Sequence, residues 1–465
     1  MGVEAAIFWH HMAISTINRF VSLFDTAFRE LPVKVSMADT ERLAMLVHHA
    51  MESTKRVYHK SGHVFGMCEG MQPRQVLSAL FHDIVYYQLD EGFPVHARHW
   101  LLDVTREVGD TLILQPFAAD DTALALCATL FDFAPGQVLP LYSGMNEFLS
   151  AVVAARLLQP YLGLPDLIAV VACIEATVPF RVPDRQGKTA LDRLEQRVCE
   201  AYSDHVDGTD PVAAMAFAEG VLWDAVALSN RDVGSFSEVD PGLFLSSTWL
   251  LIEESNAPLA VAGMYTVQEY RHGLSRMEGF LRALDPQHVF HQFKGQPSAA
   301  EMVNLRASAH NNIVFAADFL GAKIASIAIV EALALCTGTD GPIAMFLGEI
   351  RSAYGRPERV EDFLPAVPAA ADVNPALLRA FEKGRTLESN NDLTASPITA
   401  FVYRYIGHRG TQDALDFANE MFKGRRTPLA FLQALDRTMV CAIVRGCAQI
   451  ALSRREGLQA LEQRL

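Results

Sequence analysis

Residues 58–87 read YHKSGHVFGMCEGMQPRQVLSALFHDIVYY, and the fold hangs on this stretch because it sets three histidines and an aspartate within two short apolar segments. Gln72-Pro73 reads as a helix start with proline in the first turn, after which Val76, Leu77, Leu80, Phe81 and Ile84 recur at helical spacing. His82-Asp83 is therefore expected well inside an apolar helix. An ionised carboxylate there is costly unless a donor or cation meets it; a hydrogen-bonded core pair and a metal site both satisfy that demand. His63 lies on the preceding segment, where Gly62, Gly66 and Gly70 allow turns or close packing. His59, one turn earlier, shares a face with His63 if that helix is continuous.

An upstream helical histidine, an apolar helix ending in His-Asp and a later aspartate on another helix together resemble the HD superfamily of metal-dependent phosphohydrolases. The string Tyr58-His59 to His63, then Phe81-His82-Asp83-Ile84-Val85-Tyr86, is similar to a branch of HD phosphohydrolase-like proteins with YHxxxH followed by FHDxVY. That branch continues with an NExxSA segment. Here Asn146-Glu147-Phe148-Leu149-Ser150-Ala151 comes later, which implies an insertion over about 88–143. Asp83 is followed by Ile-Val-Tyr-Tyr, so the HDxGK-like continuation of many cyclic-nucleotide enzymes is absent.

The resemblance implies that His63, His82, Asp83 and Asp232 hold a divalent ion (Mn, Fe, Mg, Ni or Zn), a choice the ligand set does not make. It further implies hydrolysis of a phosphate ester, a nucleotide or other small phosphorylated substrate. Asp232, in Asn230-Arg231-Asp232 at the end of an apolar run, fits the fourth position better than Asp224. His59 is a candidate to orient phosphate or act as general acid. Glu147 either binds substrate or caps its helix beside Asn146. Glu175 is a carboxylate among Val, Ala, Cys and Ile that needs a partner. Arg181 and Lys188 in the polar block 181–189, together with Arg231, are candidate phosphate contacts. Two alternatives come from other classes. HD folds also support two-iron oxygenases, which need further histidines such as His96, His99 or His205, and the chain could instead be a nucleotide- or metal-binding regulator. His48 and His49 read as packing or surface residues.

With 50% hydrophobic and 20% charged residues, the 465-residue chain can bury a large core, and its length favours two domains. A net charge of -15 without a Lys/Arg-rich face argues against general nucleic-acid binding. Seven scattered cysteines without a CxxC pair fit reduced thiols. The acidic residue and histidines near the N-terminus do not resemble a secretory signal, and no uninterrupted apolar run is long enough to span a bilayer. A cytoplasmic protein without membrane partners is expected, with a homo-oligomer open. The Asn256-Ala257-Pro258 break divides an HD-type metal-binding domain (1–255) from a helical C-terminal domain (256–465). Ile14, Ile17, Phe20, Val21, Phe24 and Phe28 form one helical stripe, and Ser298 before Glu301 reads as a capping box that opens a long helix. Helical spacing dominates throughout and no long period-2 run occurs, so the expected class is all-α.

Overall fold

The computed structural model describes residues 14–118, 120–205, 210–349, 357–387 and 392–465. The N-terminal stretch weighed above against a signal sequence and the side chain of His205 lie outside the described residues. The fold is all-α, 65% helical, with one small two-stranded sheet. It divides into two compact units: Met1–Asp232 with His291–Pro297, and Val233–Phe290 with Ser298–Leu465. The Asn256-Ala257-Pro258 break thus lies within the second unit.

The first unit runs through α1 (Thr16–Glu30), α2 (Met37–Met51), α3 (Ser61–Cys68), α4 (Pro73–Phe81), α5 (Tyr87–Asp90), β1 (Thr105–Val108), β2 (Thr111–Leu114), α6 (Thr122–Phe131), α7 (Met145–Leu158), α8 (Leu164–Ala176), α9 (Ala190–His205) and α10 (Pro211–Asp232). The α1 stripe buries Phe20, Phe24 and Phe28, whereas Ile14, read as part of it, is exposed. Phe24 meets Phe81 of α4 edge to face at 5.7 Å between ring centroids. At the centre lies α8, in which every residue from Leu167 to Ala176 is buried, against α4, α7, α9 and α10. Each large apolar side chain so removed from water contributes roughly 1.5–3 kcal/mol. Residues 88–143 contain the hairpin β1–β2, in register from Thr105 opposite Leu114 to Val108 opposite Thr111. Its two-residue Gly109-Asp110 link, with Gly109 at φ +59, is a hairpin signal in four-residue strands too short to show alternation.

The second unit comprises α11 (Pro241–Glu254), α12 (Val267–Ala283), α13 (Ala299–Thr337), α14 (Ala344–Leu347), α15 (Pro375–Lys383), α16 (Pro397–Phe422), α17 (Pro428–Gln433), α18 (Arg437–Ile450) and α19 (Arg455–Glu462). The capping box read at Ser298 and Glu301 starts α13, with Ser298 N–H donating to Glu301 Oε2 at 2.8 Å. In the polar patch His310-Asn311-Asn312, Asn312 Nδ2 donates to the carbonyls of Phe236 (3.0 Å) and Glu238 (2.9 Å). By length and composition α10 and α13 are long and apolar enough to cross a membrane, although polar residues interrupt both. A buried core helix meets the same test, and 83% of the α13 window is buried.

One buried cation fixes the backbone of the organising stretch. Arg56, fully buried, donates to the carbonyls of Asp83 (Nη1, 2.5 Å) and Ile84 (Nη2, 3.4 Å) and pairs with Asp90 at 2.7 Å. Those carbonyls follow the end of α4 and have no helical partner, so the guanidinium replaces water there. Arg56→Met, which strands Asp90, is expected to lower stability by about 3–5 kcal/mol in urea titration, and Arg56→Met with Asp90→Asn should recover part of that.

Candidate metal centre

α4 ends at Phe81, so His82 is its capping residue and Asp83 begins the turn beyond it; the pair is not deep inside a helix. His82 N–H still donates to Ser78 O at 2.9 Å. The following backbone is gripped from α7. Val85 N–H donates to Ser150 Oγ (3.1 Å) and Tyr87 N–H to Asn146 Oδ1 (3.0 Å), while Asn146 Nδ2 donates to Gln88 Oε1 (2.9 Å). Asn146 therefore does not cap α7, whose cap position is Gly144. It and Ser150, one turn apart, hold the segment that follows Asp83. His59 and His63 do not share one helix either, because α3 starts at Ser61; His59 sits in the bend before it and His63 in its first turn.

These elements bring His59, His63, His82, Asp83 and Asp232 together. His63 Nε2 lies 3.0 Å from Asp232 Oδ1 and 3.9 Å from Asp83 Oδ2. His82 Nε2 lies 2.9 Å from Asp83 Oδ2 and 3.7 Å from Asp232 Oδ1, and His59 Nε2 is 4.0 Å from Asp83 Oδ2. Close as they are, the Nε2 atoms of His63 and His82 are buried without an aligned hydrogen bond. His82 Nδ1 is 2.8 Å from Ala79 O, and since a carbonyl only accepts, Nδ1 carries a proton and Nε2 is the nitrogen whose lone pair faces the carboxylates when the ring is neutral. That is the arrangement of a metal-ligating imidazole held by a backbone carbonyl. His63, His82 and Asp83 each offer a ligand atom within 4.8 Å of the others, and Asp232 closes on both histidines.

The electrostatics ask for positive charge at this point. Burial lowers the proton affinity of His82, but Asp83 and Asp232 outweigh it and push the imidazole up to about 9. Burial would raise the Asp83 carboxyl, yet His82, His59 and His63 hold it well below the usual carboxylate range. Protons satisfy two buried carboxylates in part; a divalent cation taking the imidazole lone pairs satisfies them without an orphaned nitrogen. The residues present therefore fit a divalent ion.

Glu147 stands in the first turn of α7, half-buried. Burial pushes its carboxyl up to about 7, with its backbone N–H opposing and the charges of Asp83 and Asp232 adding. Glu175 is different. Its carboxylate accepts from Arg181 Nη1 at 2.6 Å and Nη2 at 3.1 Å, and from Arg197 Nη2 at 2.9 Å. It is the buried counter-ion of two guanidinium groups, and Arg197 gave no sign of this role because its helical spacing in α9 is that of an ordinary amphipathic face. Arg181 feels the charge of Glu147 and is thereby linked to the cluster. Lys188 and Arg231 are exposed and form no ion pair among the described residues. His96 packs on His49 at 4.2 Å and His99 on Trp100 at 4.7 Å between centroids, so neither joins the cluster.

No protein-family model, no curated protein and no solved structure matches the chain. One divalent ion per chain is the expected stoichiometry by calorimetry and elemental analysis, with affinity falling more than about 100-fold in Asp83→Ala or His63→Ala, since even residues behind the ligands cost 10–100-fold. Free ion at 100 times its dissociation constant should stabilise the wild type by about 2.7 kcal/mol and leave those variants unshifted.

Proposed function

We propose that the chain is an HD-type, metal-dependent hydrolase of small phosphate esters, a nucleotide among the candidates, acting in the cytoplasm. The observation that carries this reading is the meeting of His63, His82, Asp83 and Asp232, with both imidazole Nε2 atoms buried and without an aligned hydrogen bond. A divalent ion held there would supply positive charge where a phosphoryl group accumulates negative charge.

The chain's own residues cover the remaining needs. His59, packed edge-on between Tyr58 and Tyr86 at 4.9 Å from each, lies at the rim of the cluster and is assigned to orient the phosphoryl group. Arg181, which shares the Glu175 carboxylate with Arg197, also feels the charge of Glu147 and is assigned to meet an anionic substrate. Glu147, with a carboxyl poised near neutrality beside the cluster, is assigned as the group that gives a proton to the leaving oxygen.

A panel of phosphomonoesters, phosphodiesters and nucleotides, assayed with each of Mn, Fe, Mg, Ni and Zn, tests the reading. Turnover of at least one ester, abolished in Asp83→Ala, is expected; its absence across the panel would favour a binding protein. As a proton donor, Glu147 is active while protonated, so the rate should fall as pH rises through its pKa, which burial lifts above the usual carboxylate range. Glu147→Gln should lower kcat by about 10²–10⁴-fold and erase that alkaline limb.

A further inference from the structure

The second unit contains a cavity unrelated to the histidine cluster. Tyr265, Tyr270, Lys323, Glu361, Asp392, Ser396 and Thr399 supply its polar wall, and mostly aliphatic side chains the rest. Its volume is about 60 Å³ at the centres of water-sized spheres. One water needs about 10–15 Å³ by that measure, so the space suits a molecule of a few heavy atoms.

Lys323 comes from the middle of α13 and is 4% exposed. Its Nζ donates to Ser396 Oγ at 3.0 Å and lies 3.5 Å from Asp392 Oδ2. The ammonium sits over the Trp249 ring at 4.6 Å, and the Arg385 guanidinium sits over the same ring at 4.0 Å. Arg385 also approaches Asp392, at 3.4 Å, so two buried cations draw on one carboxylate. Two further acids stand nearby: Glu253 accepts from Trp249 Nε1 at 3.1 Å, and Glu361, on the cavity wall, lies 3.9 Å from Arg359 Nη1. If packing were the only demand, a second cation beside Arg385 would be a poor choice. A lysine desolvated in an apolar wall and set next to another cation is how an amine is kept neutral enough to attack.

We propose that this cavity is a carbonyl-binding site in which Lys323 forms a Schiff base with a small aldehyde or ketone. The neutral Nζ adds to the carbonyl carbon, forming the C–N bond while the carbonyl π pair moves to oxygen and is protonated. The carbinolamine then loses that oxygen as water, which carries away the two protons originally on Nζ, and the C=N bond forms. No oxidant or reductant enters the step. Asp392 is placed to accept the proton released from Nζ and return it to the departing oxygen. The phenols of Tyr265 and Tyr270, both raised by burial and so protonated, line the cavity beside Asp392.

The test uses the full chain with pyruvate or acetaldehyde and cyanoborohydride at pH 8, followed by peptide mass spectrometry of every lysine. Burial and Arg385 lower the Lys323 amine to about 8 against the pull of Asp392. It is then about half neutral, while an ordinary lysine near 10.4 is neutral in well under about 1% of molecules. Labelling of Lys323 at least about tenfold faster than exposed Lys34, Lys55 and Lys188 is expected. Asp392→Asn, which keeps the amine, should slow that labelling, and Lys323→Arg should remove it without changing the surface rates. Labelling of Lys323 in the folded wild type no faster than at the three surface lysines overturns the proposal, and does so whether or not either variant folds.

Discussion

The guanidinium of Arg56 is the constraint from which the rest of the first unit's site follows. A helix that stops at Phe81 leaves carbonyls pointing into an interior from which water is excluded. Satisfying the two that belong to Asp83 and Ile84 from one buried side chain turns the chain sharply at the position where Asp83 must face back toward His63. Asp90 neutralises the charge, and Asn146 and Ser150 take the backbone from there. The carboxylate is thus positioned by its main chain, held on both sides, more than by any contact of its own.

Much of this was legible in the sequence, and the parts that were not have physical reasons. Helical spacing and the Pro73 and Ser298 starts gave α4 and α13 because those signals are local. The convergence of His63, His82, Asp83 and Asp232 came through resemblance, since nothing in spacing alone joins positions so far apart. Arg56 was missed because a buried arginine looks in sequence like any surface one until the carbonyls it serves are known. Glu175 was singled out correctly as a carboxylate in need of a partner, but the partners, Arg181 and Arg197, make it a structural counter-ion. The hairpin escaped because four-residue strands carry too little alternation to register.

The second unit shows the same economy with a different emphasis. Its long helix α13 buries most of its length, yet places a lysine and Glu331 among apolar neighbours. Glu331 is matched by Arg271 at 2.9 Å, a buried pair that needs nothing further. Lys323 is matched less completely, sharing its acid with Arg385. Where a buried charge is fully answered its role is architectural; where it is not, chemistry is the better explanation.

Asp232 closes the first unit, but the chain returns to that unit as residues 291–297, where Asn230 exchanges two hydrogen bonds with the backbone of His291, at 2.7 and 2.8 Å. Asp232 is therefore buttressed by a segment made some sixty residues later. During synthesis, the cluster's last carboxylate leaves the ribosome well before the loop that steadies it. A polypeptide ending at the Asn256 break would carry every histidine and aspartate of the cluster and still lack the clasp that sets the final one in place.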